Sequence, residues 1–399
     1  MDALVTSRPL SANISSHRAA IQAVWPLFLV SRLWLVAATV VAAHLTLPAV
    51  LSQPTSDPFW QTWRRWDADI YAHIAVVGYL PSEAHATPAF FPLFPLLEHL
   101  VAPLFAGNTY LAGLLVTNVA WFFALFELYQ LAQRDFGPAT ARGAVLALTV
   151  FPMAFFGFVP YPEALFLAFA IASLCQMRQQ HWVSAALLGG LAALTRQAGL
   201  FLILPFMWEW ITHHAPSFRG TPWYSVPSVS RIRSLILVLL IPAGTALYAV
   251  WLWHAVGDPL AFWHAEATWQ RVHAWPWQTI ALGMHALTTQ PSKYFTFRAW
   301  QELLTVLAMG VLAVIGVQRR IPATYLVFAI PLYLVFLMQL DPAWPLLSQS
   351  RFMLEIFPLY IVLGDVVARY RWRQVVLVAI CLPVQLILLG VFSRAGWVL

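Results

Sequence analysis

Acidic and basic side chains stand close together in one short stretch of an otherwise apolar chain. Arg64, Arg65, Trp66, Asp67 and Asp69 all fall between positions 64 and 69. A carboxylate can act as the general base for a hydroxyl group, and neighbouring arginines can hold an anionic, phosphate-bearing substrate. The same charges could instead pair with one another on a solvated loop, and the residue types leave both interpretations open.

Three more ionisable residues occur beside apolar stretches. Glu163 closely follows Tyr161 at a short corner between two such stretches. Arg196 interrupts the apolar run LTRQAGL, and Arg351 follows Ser-Gln-Ser at the start of another run. Ionisable groups next to membrane spans are costly and usually face a cavity or a partner. Arginine can also snorkel to the interface, so a functional role is favoured for Arg196 and stays open for Glu163 and Arg351.

The elements that must position these residues are membrane helices. Hydrophobic residues make up 61% of the 399-residue chain and charged residues only 10%, and the mean hydropathy is +0.72. Soluble globular domains carry about 25% charged residues, and disordered chains lack such apolar content. The two cysteines, Cys175 and Cys381, lie alone in separate apolar runs, which excludes a disulfide framework and a thiolate metal site.

The sequence predicts about eleven membrane spans, since a span needs roughly 20 mostly apolar residues and the boundaries are approximate. They cover residues 24–47, 110–132, 143–159, 162–178, 183–197, 198–212, 234–255, 300–317, 322–340, 351–368 and 374–392. The net charge is +6, and basic residues gather in every second connection: Arg8, Arg18, Arg134, Arg142, Arg178, Arg219, Arg231, Arg233, Arg319, Arg320, Arg369, Arg371 and Arg373. By the positive-inside rule these connections are cytoplasmic, so the charge excess indicates topology and not binding to nucleic acid.

Two large loops then face away from the cytoplasm, a first loop at 48–106 and a second loop at 256–299. Within the first, residues 89–106 contain three prolines together with Glu98 and His99. Such a composition favours an interfacial or re-entrant segment over a further span.

The chain is expected to form a single integral membrane domain over residues 1–399. Its polar stretches are too short to build an independent soluble core. A catalytic transmembrane module at 1–212 would carry the first loop, and a second transmembrane module at 234–399 would carry the second loop.

The second loop is rich in tryptophan and histidine, which favours an aromatic belt at the membrane interface over a metal site. Lys293 and Arg298 near its end could meet a lipid phosphate or ordinary anionic headgroups. No nucleotide fingerprint or Gly-rich phosphate loop is present in the sequence. An enzyme of this kind must therefore use an activated substrate already in the membrane, and a polyprenyl-phosphate donor is the logical candidate.

Five sequence blocks resemble the PIG-V family, which transfers the second mannose in glycosylphosphatidylinositol anchor assembly and has bacterial relatives. They are RWDADIYAHIAVVGY (65–79), FFPLFPLL (90–97), FPMAFFGFVPYPEALF (151–166), LTRQAGL (194–200) and SRFMLEIFPLY (350–360). The blocks keep the family order and extend over most of the chain.

The resemblance implies an all-α polytopic glycosyltransferase of the GT-C type with an extracytoplasmic site. Such an enzyme takes a sugar, here mannose, from polyprenyl or dolichyl phosphate, inverts the anomeric centre and passes it to a lipid-linked or glycan acceptor. Asp67 would deprotonate the acceptor, and Asp69 would help to orient it. The substrate-binding set would comprise Arg65, Trp66, Tyr161, Glu163, Arg196 and Arg351. No metal or other cofactor is expected; the membrane is the cell membrane in a prokaryote and that of the endoplasmic reticulum in a eukaryote.

A physical argument adds that Arg196 or Arg351 would stabilise the departing lipid phosphate, on which negative charge builds. The nearest alternative function is transfer of another lipid-linked sugar. A transporter or flippase would predict internal repeats and interrupted helices with charges near the bilayer midplane, and the sequence lacks such repeats. A purely structural membrane protein would leave Asp67, Glu163 and Arg196 without a role.

Overall fold

The computed structural model describes residues 10–44, 59–218, 229–289 and 293–394. Its α-helices are α1 Leu10–His44, α2 Asp67–Val77, α3 Leu93–Val101, α4 Thr109–Phe136, α5 Pro138–Val150, α6 Glu163–Arg178, α7 Trp182–Thr195, α8 Ile203–Phe218, α9 Val229–Ile236, α10 Leu240–Val256, α11 Ala261–His264, α12 Pro276–Thr289, α13 Lys293–Gln318, α14 Ala323–Leu337, α15 Gln349–Met353, α16 Phe357–Ala368 and α17 Arg371–Ser393. Arg8, Arg219 and the start of the first loop at 48–58 lie outside the described residues, as does the side chain of Lys293.

Within the described ranges, five helical segments are long and apolar enough to cross a membrane. They are His17–His44, Thr109–Phe136, Ile232–Val256, Thr296–Gln318 and Arg371–Ser393. Shorter apolar helices, among them α7, α14 and α16, pack between them. The predicted all-α polytopic membrane fold is confirmed, and each of the predicted spans overlaps a helix of the structure.

Three of the predicted spans have different boundaries because prolines and turns interrupt them. The span expected at 143–159 stops at Val150, because the following segment contains Pro152 and Pro160, whose nitrogens cannot donate helical hydrogen bonds. The span expected at 198–212 begins as the 3₁₀ helix Gln197–Leu202.

The third difference has the largest effect on the site. The span expected at 351–368 begins only at Phe357, with Pro358 in the first turn of α16, where a missing amide hydrogen is tolerated. Arg351 lies on the separate short helix α15, and Glu355 lies in the turn between the two helices. Both residues are therefore outside the spanning helix.

The segment 89–106 is too short to cross the bilayer, as its prolines predict. Its helical part, α3 followed by the 3₁₀ helix Ala102–Phe105, covers Leu93–Phe105. At about 1.5 Å per residue this length falls well short of the roughly 30 Å hydrocarbon core.

Glycines allow the central helices to approach closely. A Cβ added to Gly143 of α5 would lie 2.5 Å from the carbonyl oxygen of Gly364 in α16, and one added to Gly244 of α10 would lie 2.2 Å from that of Gly190 in α7. Small residues at such crossings are typical of membrane helix pairs, because dispersion contacts there replace the hydrophobic driving force.

A two-stranded antiparallel sheet connects the second loop to the chain before α15. Strand β1 is Val272–His273 and strand β2 is Gln339–Leu340, with Val272 paired to Leu340 and His273 to Gln339. This short sheet fixes the position of Arg271 relative to the segment that carries Arg351.

Candidate active site

Asp67 is the first residue of α2, directly after a strained backbone position. Trp66 has a φ angle of 54°, a left-handed conformation that bulky residues rarely adopt. The hydroxyl of Tyr161 donates a hydrogen bond of 2.8 Å to the carbonyl oxygen of Arg65 and so helps to hold this turn. The Asp67 carboxylate at the helix N-terminus benefits from the partial positive charge there.

Arg351 joins two carboxylates that are distant in sequence. Its Nη1 donates to Asp67 Oδ2 at 2.7 Å, and its Nε donates to Glu163 Oε1 at 2.5 Å. The guanidinium also lies over the rings of Phe156 and Tyr161, with 4.8 and 4.7 Å between Cζ and the ring centroids. These contacts fix the orientation of Arg351 and, through it, that of Asp67.

Arg196 continues the ion-pair network on the other side of Glu163. Its Nη1 donates to the same Glu163 Oε1 at 2.9 Å, and its Nε lies 2.8 Å from Glu355 Oε1. Glu163 and Glu355 are completely buried. Asp67, Arg351, Glu163, Arg196 and Glu355 thus form one chain of alternating charges, which compensates for the cost of burying each charge.

Glu355 is less well satisfied than the other acids of this network. Its contact with Arg196 Nε is an ion pair without hydrogen-bond geometry, and neither carboxylate oxygen accepts a hydrogen bond from any described residue. Burial raises the pKa of the Glu355 carboxyl to about 7, although the charge of Arg196 opposes this shift.

A cavity of about 890 Å³ opens beside this network. The lining includes Asp67, Arg196, Arg351 and Glu355. Its other polar wall contains Glu266, Arg271, Arg298 and Glu302, and its aromatic lining contains Trp66, Tyr71, Trp269 and Trp344. A cavity of this size, apolar with a few convergent polar groups, is typical of a small-molecule site.

Four of the predicted site residues border the cavity, and the other four do not. Trp66 lines it together with Asp67, Arg196 and Arg351. Glu163 and Tyr161 lie behind this lining and contact Arg351. The structure places the remaining two, Arg65 and Asp69, elsewhere.

Asp69 and Arg65 point away from the cavity. Asp69 accepts a hydrogen bond of 2.6 Å from Arg64 Nε, and the two side chains are 56% and 44% exposed. Arg65 contacts the carbonyl oxygen of Ser393 at the end of α17. The structure thus separates the two acids of the motif, since only Asp67 borders the cavity.

The opposite wall contains charged residues that the sequence did not single out. Arg271 Nη1 donates to Gln339 Oε1 at 2.9 Å, and its guanidinium lies 4.9 Å from the centroid of Phe352. Among the described residues no carboxylate lies within ion-pair distance of Arg271. Burial lowers the pKa of Arg271 and raises that of Glu266, and each charge partly offsets the shift of the other.

Glu302 fixes the segment that carries Arg351. Its Oε2 accepts a hydrogen bond of 2.5 Å from the backbone amide of Ser350, and its Oε1 accepts one of 2.8 Å from Arg298 Nη2. The sequence left open whether Arg298 meets a lipid phosphate or ordinary anionic headgroups. In the structure its side chain is buried in the cavity wall and bound to Glu302.

The described ranges contain no group of three or more His, Cys, Asp or Glu side chains arranged to hold a metal ion. The expectation of a metal-independent site stays a prediction.

Comparison with known proteins identifies the fold. No family model and no curated protein sequence matches the chain. ArnT from Cupriavidus metallidurans, solved bound to undecaprenyl phosphate, superposes with a TM-score of 0.54 at 14% identity over 89% of this chain. The oligosaccharyltransferase of Archaeoglobus fulgidus in its apo form gives a TM-score of 0.50 at 12% identity over 94%.

Both of these proteins are glycosyltransferases of the GT-C type. The superposition covers 62% of the length of the first protein and 56% of the second, so the chain spans about three fifths of these structures. At such low identity the likeness establishes the fold alone. The GT-C fold implied by the resemblance is confirmed on this basis, whereas the resemblance to the PIG-V family stays a prediction.

Proposed function

We propose that this protein is a membrane glycosyltransferase that moves a sugar from polyprenyl phosphate to the hydroxyl group of a lipid-linked or glycan acceptor. The observation that carries the proposal is the Asp67 carboxylate, fixed by Arg351 at the edge of an 890 Å³ cavity. The GT-C fold supports it, because the ArnT structure with this fold holds undecaprenyl phosphate.

Asp67 is the general base in this mechanism. Its Oδ2 is bound by Arg351, and no described residue donates a hydrogen bond to Oδ1, which leaves that oxygen for the acceptor hydroxyl. The acceptor oxygen gives its proton to Asp67 and attacks the anomeric carbon from the side opposite to the phosphate. The bond between that carbon and the phosphate oxygen breaks, its electrons go to the phosphate, and the configuration is inverted.

Arg271 binds the departing phosphate. The sequence favoured Arg196 or Arg351 for this role, but two carboxylates already engage each of them. Arg271 borders the same cavity without a carboxylate at ion-pair distance in the described part of the chain. Its charge is thus available to the oxygens on which negative charge builds.

Mannose is the proposed sugar, because the blocks around Asp67 and Glu163 resemble the PIG-V family. Transfer of another lipid-linked sugar is the alternative, since the same base and phosphate contact would serve it. The reaction takes place on the extracytoplasmic side, as the positive-inside rule places the loop that carries Asp67 there.

The test uses the full chain in nanodiscs with polyprenyl-phosphate mannose and a crude lipid extract as acceptor. Release of polyprenyl phosphate is compared between the wild type, Asp67→Asn and Asp258→Asn. Asp258, an exposed acid of the second loop that contacts His264, is the matched control. The proposal is supported if the wild type and Asp258→Asn release polyprenyl phosphate and Asp67→Asn releases it at least about 100-fold more slowly. Equal release by all three proteins removes Asp67 as the base, and no release by the wild type removes mannose as the sugar.

A further inference from the structure

Glu355 is a buried carboxyl group that the proposed chemistry does not use. Three glutamates in the described ranges have buried carboxylate oxygens without a hydrogen-bond partner, namely Glu98, Glu163 and Glu355. Only Glu355 among the three borders the cavity. Leaving a buried acceptor unsatisfied is unfavourable, so its position indicates a ligand that supplies donors.

The surroundings of Glu355 define the chemistry of that ligand. Arg196 Nε lies 2.8 Å from Glu355 Oε1, and this positive charge disfavours a bound cation. The carboxylates of Glu355 and Glu163, both completely buried beside Arg196, disfavour an anion at the same place. A neutral group that donates hydrogen bonds satisfies both conditions.

We propose that Glu355 binds the transferred sugar by accepting hydrogen bonds from two adjacent hydroxyl groups, and that it thereby determines which sugar is used. The two oxygens of one carboxylate match a pair of vicinal hydroxyls. Trp66 and Trp269 border the same cavity and offer apolar faces to the sugar ring. This inference rests on the proposed function, because it names the residue that recognises the sugar within the same site.

The network also explains how Glu355 would stay oriented for this role. Arg196 holds it from one side, and Arg196 is itself held by Glu163, which binds Arg351. The proposed sugar contact and the proposed base are thus the two ends of one chain of ion pairs. This arrangement sets a fixed separation between the sugar hydroxyls and the attacking oxygen.

The first experiment measures binding without turnover. Dissociation constants for polyprenyl phosphate and for polyprenyl-phosphate mannose are determined in nanodiscs for the wild type, Glu355→Ala and Glu98→Gln. Glu98 is the matched control, since it is a buried acid whose carboxylate oxygens also lack a hydrogen-bond partner among the described residues but which does not border the cavity. We expect Glu355→Ala to raise the dissociation constant of polyprenyl-phosphate mannose at least about tenfold and that of polyprenyl phosphate less than about twofold. Equal weakening of both lipids would mean a structural role and overturn the inference.

The second experiment removes hydroxyl groups from the sugar. Donors that lack one hydroxyl at C2, C3, C4 or C6 are compared by kcat/KM. In the wild type and in Glu98→Gln, deletion of either of two adjacent hydroxyl groups should lower kcat/KM at least about tenfold, whereas in Glu355→Ala the same deletions should lower it less than about threefold. An identical pattern in the wild type and Glu355→Ala would show that Glu355 does not contact the sugar.

The two proposals fail in different ways. If the wild type neither releases polyprenyl phosphate nor binds the mannose lipid more tightly than the bare lipid, the proposed donor is wrong and this inference is wrong with it. If the wild type transfers mannose but Glu355→Ala leaves the hydroxyl pattern unchanged, only the role of Glu355 is wrong.

Discussion

Arg351 donates a hydrogen bond of 2.7 Å to Asp67, although 284 positions separate the two residues in the chain. This contact joins the first loop to the short helix before α16, so the proposed base keeps this orientation only when both of these segments are in place. The second contact of Arg351, with Glu163, holds the guanidinium from the opposite side. The orientation of Asp67 therefore depends on Glu163 through Arg351, whereas Glu163 is also held by Arg196.

Replacing Arg351 by lysine should separate the positioning of Asp67 from the net charge. A single ammonium group cannot reproduce the two directed contacts that the guanidinium makes with Asp67 and Glu163. We expect kcat to fall about 100-fold in Arg351→Lys, with a smaller change in the donor KM, because misplacement of a reacting group by about 1 Å can have this effect. Steady-state kinetics in nanodiscs measures both constants.

The control for this variant is Arg369→Lys, at an exposed arginine whose pairing with Asp365 is loose at 3.7 Å. Its kinetic constants should match those of the wild type. A wild-type kcat in Arg351→Lys would show that Asp67 does not depend on the guanidinium for its orientation.

Arg271→Gln should weaken the binding of the lipid phosphate. The arginine borders the cavity and directly precedes strand β1, and its side chain donates a hydrogen bond to Gln339. Loss of a charge-assisted contact should raise the dissociation constant of polyprenyl phosphate by at least about tenfold. If Arg271→Gln leaves this constant unchanged while Arg196→Gln raises it, the phosphate contact belongs to Arg196, one of the two arginines that the sequence favoured.

Asp69→Asn should reduce activity far less than Asp67→Asn. Asp69 is 56% exposed and pairs with Arg64, whereas Asp67 borders the cavity. We expect less than about a tenfold loss of kcat/KM in Asp69→Asn, compared with at least about 100-fold in Asp67→Asn. A similar large loss in both variants would restore the acceptor-orienting role that the resemblance implies for Asp69.

The fold and several residues of the candidate site could be predicted because their signals are local. Apolar runs of about 20 residues define the spans, and positions such as Asp67, Glu163 and Arg196 contrast with their immediate surroundings. The three prolines within residues 89–106 also indicated, from that segment alone, that it does not cross the membrane. Each of these inferences requires only a short window of sequence.

The opposite wall of the cavity could not be predicted because its residues come together only through long-range contacts. Arg271 meets Gln339 across 68 positions, and Glu302 meets the amide of Ser350 across 48. Glu355 lay inside a segment that its apolar neighbours assigned to a span, and only the start of α16 at Phe357 places it in a turn. No local pattern distinguishes such residues from ordinary interface charges.

The raised pKa of Glu355 predicts a specific dependence of stability on pH. Burial raises the pKa of this carboxyl from its usual value of 4.5 to about 7 in the folded protein. The negative charge of Glu163 also raises this pKa, whereas the positive charges of Arg196 and Arg351 lower it. Between these two pH values the folded state binds more protons at Glu355 than the unfolded state does. The stability that this group contributes is therefore fully present below pH 4.5 and is lost as the pH rises through about 7.

Glu355→Gln removes this proton linkage and keeps the shape of the side chain. We expect the apparent Tm of the variant to equal that of the wild type near pH 4.5 and to exceed it by about 2 °C or more at pH 8. Thermal unfolding in nanodiscs at a series of pH values measures the difference. Glu83→Gln, at a partly exposed acid that contacts His73, is the control and should stay within about 1 °C of the wild type at each pH. A constant difference between Glu355→Gln and the wild type from pH 4.5 to 8 would mean that Glu355 has the same pKa in the folded and the unfolded protein.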